Sequence, residues 1–402
     1  MEIDDECTAL PRYRFVILIL SAASFGAGAA HAQSSVTLYG VVDDSIAYVN
    51  NQQGHSNVYM RDGNLYASKF GLRGDEDLGG GTHAIFDLQA GFNLNTGAQA
   101  AAGTIFNRQA YVGLRNDHYG TVTAGRQYTP YFLLVGPYAS SSWLTGATGA
   151  HPGDIDGLDT TIRVNNSVTY TSPTLSGLTA SAMYAFGGIA GATGKGNTFS
   201  AALRYANGPV GIAAGYLRIN SSGSSAGFLN PATAASGSFA VSVLNQGYLS
   251  AKAVEQVAAA GNYTLGNLTM GVNYSNVKYL PGNGSAFTNT AVFNTYGALA
   301  AYRFTPTFSV AGAFAYTLAS KANGVSGAAR YQQYSLKESY SLSKRTTLYA
   351  LQAYTHASGQ TLGAQGAGHI VDAAPIVGDS QQLTPSTTHG QFVGMVGIAV
   401  TF

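Results

Sequence analysis

The sequence predicts an all-β chain, a 16-stranded antiparallel transmembrane β-barrel, on three observations. Strand-like runs rich in Val, Tyr, Phe, Thr and Ala recur as far as the last residue, and along them apolar residues alternate with polar or small ones at a period of two. Only 10% of residues are charged, where a soluble domain has about 25%; the exposed faces of a soluble sandwich would carry many more charges than these strands do. The breaks between runs come in two strictly alternating kinds, short polar turns and long irregular connections, as a chain crossing a slab up and down requires. Beyond residue 32 no segment reaches about 18 consecutive apolar residues, so helical spans are absent.

The elements follow in order. In the opening MEIDDECTALPRYRFVILILSAASFGAGAAHA, Arg12 and Arg14 precede an apolar run from Phe15 to Leu20, and Ala30-His31-Ala32 has the small-x-small form that signal peptidase cleaves after. Residues 1–32 therefore read as a secretory signal and 33–402 as the barrel. The apolar core falls short of the roughly 18 to 20 residues of a membrane anchor. Glu2, Asp4, Asp5 and Glu6 are foreign to a signal and fit a translation start a few residues downstream. Cleavage would also remove Cys7, the one cysteine, and a thiol-free chain suits an oxidising compartment. Taking the two basic and four acidic residues of the signal from 20 Lys+Arg and 19 Asp+Glu leaves a balance of +3. That is too small to imply a nucleic-acid partner.

Short turns stand at 75–81, 116–119, 172–177, 207–209, 265–267, 305–307 and 343–345, and long connections at about 51–65, 95–107, 129–162, 188–197, 220–252, 280–292, 320–330 and 357–390. Seven turns and eight loops separate sixteen strands. Each strand with its connection has about 23 residues, and a tilted spanning strand uses about 9 to 11 of them. In KFGLRGDEDLGGGTHAIFDLQAGF, Phe70, Leu72, Ala84, Phe86, Leu88 and Phe92 are expected to face lipid, and Lys69, Arg73, Asp87 and Gln89 a wet interior. The reverse would set Lys69 or Arg73 against hydrocarbon, at up to about 2–4 kcal/mol each. Ile85 breaks the pattern and points inward. Tyr39, Tyr128, Tyr170, Tyr205, Tyr302 and Tyr349, near strand ends, are expected to form the interfacial girdles.

The stretches SSVTLYGVVD, KFGLRGDEDLGGG, FNRQAYVGL, YGTVTAGRQY, RVNNSVTYTS and SKRTTLYALQAYTH, with the terminal Phe402, run in order along nearly the whole chain. Together they resemble the general porins of Gram-negative bacteria, in the β-proteobacterial branch. The resemblance implies an outer-membrane homotrimer that passes small hydrophilic solutes and ions by passive diffusion, with a third long loop folded inward to narrow the pore. Phe402 resembles the signal read by the barrel-assembly machinery. The long fifth and eighth loops depart from the pattern.

Basic residues near the loop-side ends of neighbouring strands share one arc of wall: Lys69, Arg108, Arg126 and Arg163. Lys69 and Arg163 lie on the polar parity. Arg108 shares parity with Ala110, Val112 and Leu114, and Arg126 with Val122 and Ala124, so either a bulge resets the register there or these arginines sit above the membrane. The family favours the bulge, because its pores are lined by arginines in this context. Opposite the arc, the third loop offers Asp154, Asp156 and Asp159 in HPGDIDGLDTTIR. Acids facing cations across a narrow wet opening make a transverse field, and four cations against three acids lean toward anions. Arg73 and Asp87 are further expected lumen residues.

Other chemistry finds little support. GATGKGN lacks the first glycine and the Ser or Thr of a phosphate loop, and DIDGLD lacks the spacing and final glutamate of a calcium loop. No nucleophile elbow or H-E-x-x-H appears, the histidines are scattered, and no cofactor, metal site or catalytic residue is expected. The competing readings are a substrate-specific channel, a barrel acting as adhesin or receptor, and a barrel enzyme.

Overall fold

The computed structural model describes residues 35–222, 235–237 and 242–402. The expected signal and part of the fifth loop lie outside the described residues. One sheet closes on itself. β1 is Ser35–Gln52 and β2 returns in two pieces, His55–Asp62 and Lys69–Gly79, both paired with β1. There follow β3 (Thr82–Gly91), β4 (Gln109–Asn116), β5 (Gly120–Gln127), β6 (Ile162–Thr171), β7 (Leu178–Ala185) and β8 (Thr198–Asn207). β9 (Val210–Asn220), β10 (Ala253–Leu265), β11 (Leu268–Leu280) and β12 (Ala291–Arg303) continue the wall. β13 (Phe308–Ala319), β14 (Arg330–Ser341), β15 (Thr346–Ser358) and β16 (Gly390–Thr401) complete it. Each strand pairs antiparallel with the next, and β16 returns to β1 with Thr401 opposite Val41 and Val393 opposite Val49. At the seam Gly40 and Phe402 exchange both backbone hydrogen bonds at 3.0 Å. The Phe402 ring lies where a Cβ on Gly40 would be, 2.4 Å from that position.

The period of two sorts the faces as read from the sequence. On β11, Met270, Val272 and Tyr274 are exposed on the outer wall while Thr269, Asn273 and Ser275 are buried inside. Phe70 and Leu72 are exposed in the same way, and Asp87 and Gln89 are buried. The tyrosines divide. Tyr170, Tyr205 and Tyr302 are exposed on the outer wall, but Tyr349 is buried with its hydroxyl on Asp43, Tyr39 bonds Asp87, and Tyr128 is buried beside Arg108 and Arg163. A place near a strand end does not fix a side chain's face; parity does, and Tyr39 shares its parity with Val41 and Asp43.

The first connection also differs from expectation. Residues 51–65 are not an irregular loop: the chain reverses at Gln53 and Gly54, both with positive φ, and runs straight into β2. These strand ends are polar on both faces, which reads locally as loop. The irregular stretch is instead at 63–68, between the two pieces of β2.

The third, fifth, sixth and eighth connections fold into the loop-side half of the barrel. Tyr131, Val135, Ile155 and Leu158 of the third loop, Leu244 and Tyr248 of the fifth, Phe287 of the sixth, and Leu362 and Val377 of the eighth form one apolar cluster. It rests on the inward-facing Val254, Tyr279, Phe293 and Tyr331. Tyr248 stacks on Tyr279 at 5.4 Å and meets Phe287 and Phe293 edge-on. Each large side chain buried contributes about 1.5–3 kcal/mol, whereas doubling a loop's length costs only about 0.6 kcal/mol of closure entropy. These four loops therefore fold inward. Of the fifth loop, Ala235–Gly237 pairs with Ile162–Val164 of β6.

Val272 points outward from β11, so Val272→Arg is expected to destabilise the barrel by about 2–4 kcal/mol, the range for a cation near the bilayer midplane. Urea titration of the folded protein in lipid vesicles reads this directly.

Candidate functional site

The third loop, residues 128–161, crosses the lumen and is tied to the far wall. Its first turn, Pro130–Val135, is a short helix whose N-terminus is capped by Thr129, the Phe132 N–H donating to Thr129 Oγ1 at 3.1 Å. The Tyr131 N–H then reaches Ser200 of β8. Farther along, Gln333 and Ser335 of β14 donate to the carbonyls of Thr148 and Ala150. The tightest tie is buried. His151 Nδ1 lies 2.6 Å from Asp156 Oδ2, Ser275 of β11 donates to the same oxygen at 2.5 Å, and Asn273 meets His151 Nε2 at 3.0 Å.

Two irregularities aim arginines from the near wall into the lumen. The β5–β6 ladder slips between Gly125 and Gln127, so that Asn165 and Asn166 together stand against Arg126. Gly125 at φ +139° turns the chain there, a conformation side chains rarely allow. Arg126 Nε donates to Asn107 O at 2.8 Å and Nη1 to Asn165 Oδ1 at 2.5 Å. At the head of β4, the Arg108 N–H donates to Gln89 O although Gln89 pairs with Gln109, so two residues again oppose one. The conflict of parity in the sequence is thus a pair of bulges. From Arg108 a chain of contacts descends the wall. Its Nε donates to Gln89, Gln89 to the Tyr39 hydroxyl at 3.0 Å, and that hydroxyl to Asp87 at 2.5 Å. Arg73 stacks on Tyr39 with its Nε 4.0 Å from Asp87.

Lys69, Arg108, Arg126 and Arg163 line one cavity of about 1070 Å³ between this wall and the third loop. Of the three expected acids only Asp159 lines it. Asp154 and Asp156 are fully buried within the loop's own folding. Asp154 accepts from the Asp159 N–H and the Thr161 hydroxyl, and Asp156 belongs to the His151 tie. Burial, with Asp159 and Asp156 nearby, pushes the Asp154 carboxyl well above the ordinary range. Burial pushes Asp156 up as well, but the His151 charge and the hydrogen bonds from His151 and Ser275 outweigh it and hold this carboxyl below that range.

Three lining residues stand outside the expected set. Arg61 and Asp62 come from β2, inside the stretch expected to be loop, and Asp379 comes from the eighth loop. Arg61 is 2% exposed; its Nη2 donates to Gln381 O at 2.9 Å and lies 3.7 Å from Asp379. The cavity is therefore lined by five cations and three carboxylates. Alternation running through VYMRD was the available signal for Arg61; nothing local marks Asp379.

A family model of the Gram-negative porins matches residues 19–360. An outer membrane porin protein of Bordetella pertussis is 34% identical over 229 residues, which cover 50% of this chain and 58% of that one. Outer membrane porin protein 32 of Delftia acidovorans is 36% identical over 214 residues, covering 49% and 58%. The chain thus spans less than two thirds of the length of these curated relatives. Among solved structures, an anion-selective porin from Comamonas acidovorans superposes with a TM-score of 0.68 at 25% identity, over 92% of this chain and 100% of that one.

His151→Ala leaves the Asp156 carboxylate buried without its partner, a loss of about 3–5 kcal/mol for such pairs. Amide hydrogen exchange is expected to quicken at 146–159 while the strands stay protected. Because the folded Asp156 pKa is depressed, its contribution is present above the unfolded value of about 3.9 and fades only as pH falls through the lower folded value. Protection of the wild-type loop should therefore persist at pH 5.

Proposed function

The chain belongs to the Gram-negative porin family, and from that premise we propose that it forms a water-filled outer-membrane channel for small hydrophilic solutes and ions, with a preference for anions. The observation that carries the preference is the excess of five cations over three carboxylates around the cavity. The anion-selective porin from Comamonas acidovorans, which matches over its whole length, is in keeping with it.

In this reading Lys69, Arg108, Arg126 and Arg163 form the positive wall of a constriction, with Asp159 opposite and Arg73 and Asp87 below along the wall. Asp154 and Asp156 shape the third loop rather than face the solute. A field across the opening orients water and dipolar solutes, while an apolar solute gains nothing from it and must shed no less water. Anions exchange part of their hydration for guanidinium donors spaced along one wall, each weak enough to release them to the next. Three such barrels associate as a homotrimer in outer-membrane lipid, and Phe402 at the seam is the residue offered to the barrel-assembly machinery.

Single-channel recording in planar bilayers tests this. Conductance should arrive in steps of three, with a reversal potential under a KCl gradient on the chloride side. A unit charge 4–8 Å from a passing ion in water is worth about 0.5–1 kcal/mol. Arg108→Ala or Arg163→Ala should therefore lower the chloride-to-potassium permeability ratio about two- to five-fold. A folded barrel that never conducts would remove the proposal.

A further inference from the structure

The eighth loop brings its own carboxylate to the cavity at a place fixed by four backbone contacts. The Val377 N–H donates to Gln391 and that of Gly378 to Gln333, both on the wall. The Gly153 N–H donates to Gly378 O at 2.7 Å, and the Asp379 N–H to Gly146 O at 3.0 Å, both on the third loop. Gly146 is also where the Asp159 carboxylate packs, its Oδ2 2.2 Å from where a Cβ would stand. One residue of the third loop thus holds two acids from different loops side by side. Both line the same cavity as the arginine arc.

We propose that Asp379 is a specificity-determining residue of the channel, acting as a pair with Asp159 to set how much of the arginine arc's charge is opposed. This rests on the channel reading above and deepens it. The groups facing the pair are Arg61 from β2, Arg108 and Arg163 from the near wall with Tyr128 beside them, and Asp154 within the third loop, with Asp62, Lys69 and Arg126 farther along the same cavity. Asp379 is aimed at Arg61, and its two oxygens also accept from the Gln381 N–H and side-chain amide. Asp159 is held instead by the Thr160 backbone N–H. Burial, and then the charge of Asp379, raise the Asp159 carboxyl to about 7, and burial also raises Asp379, against the pull of Arg61.

The sign follows. A raised carboxyl is neutral below its pKa and charged above it. As pH falls through about 7, the pair loses negative charge, the arginines stand less opposed, and chloride is favoured further. At pH 8 the pair is most negative and the preference weakest.

The test is the reversal potential of the purified full-length channel under a KCl gradient between pH 5 and 8, for wild type, Asp379→Asn, Asp379→Glu and Asp159→Asn. The wild type should become more chloride-selective toward pH 5. At pH 8, Asp379→Asn should raise the chloride-to-potassium permeability ratio about two-fold and flatten the pH dependence, with conductance changed no more than the ratio, while Asp379→Glu keeps the wild-type profile. An unchanged ratio in Asp379→Asn overturns the proposal. So does a several-fold rise in conductance in both Asp379 variants, which would make the residue an anchor of the loop. Asp159→Asn guards against the case in which Asp379→Asn fails to fold: a conducting Asp159→Asn channel with the wild-type pH profile also overturns the pair. These failures leave a working channel, whereas absence of conductance in the wild type would remove the channel reading itself.

Discussion

In hydrocarbon a backbone amide has no water to turn to, so every strand must have a neighbour on both sides and the sheet must close. The Gly40–Phe402 and Val41–Thr401 pairings that join the last strand to the first are the condition on which the rest depends. Once the wall is closed, one face of each strand belongs to lipid and the other to the interior, and a period of two follows along the whole chain. The wall's demand for regular pairing also confines irregular backbone to places where it meets protein or water. The bulges at Arg126 and Arg108 and the break at 63–68 all lie beside the cavity, where freed polar groups find Asn107, Asn165 and Asn64 among their neighbours.

Inside the wall, the loops divide the work of the acids. Asp156 is a fastening: it is buried, paired with His151, and bonded to a strand on the opposite side of the barrel from the arginines. Asp154 fixes the turn that presents Asp159 and Thr161. Asp159 alone of the three reaches the cavity. Three carboxylates within six residues thus have three different surroundings.

The barrel was legible because its signals are local. Alternation, scarcity of charge and the rhythm of short and long breaks can all be read in windows of ten to thirty residues, and sixteen strands emerge in the expected order. The parity conflict at Arg108 and Arg126 was legible too, since a cation on an apolar face demands a change of register. Reading failed where the deciding partner is distant in sequence. Nothing near Asp156 announces Ser275, 119 residues away, and nothing near Asp379 announces Arg61 or Gly146. The inward parity of Tyr39 on β1 and Tyr349 on β15 outweighs their place near a strand end, and Tyr128, one residue past β5, belongs to the third loop. The first connection reads as a loop because a strand that rises beyond the bilayer loses its apolar face.

The apolar cluster formed by the third, fifth, sixth and eighth loops has a consequence beyond narrowing the lumen. It replaces water with weakly polarisable side chains over the sector of the cross-section facing β10 to β14. Field lines from Lys69 and the three arginines cannot spread freely into such a medium, and they concentrate in the wet crescent that remains. A few cations on one wall of a nearly neutral protein can then generate the potential that a much denser array would in an open, water-filled tube. The insulator opposite the charges, as much as the charges, sets the potential in that crescent.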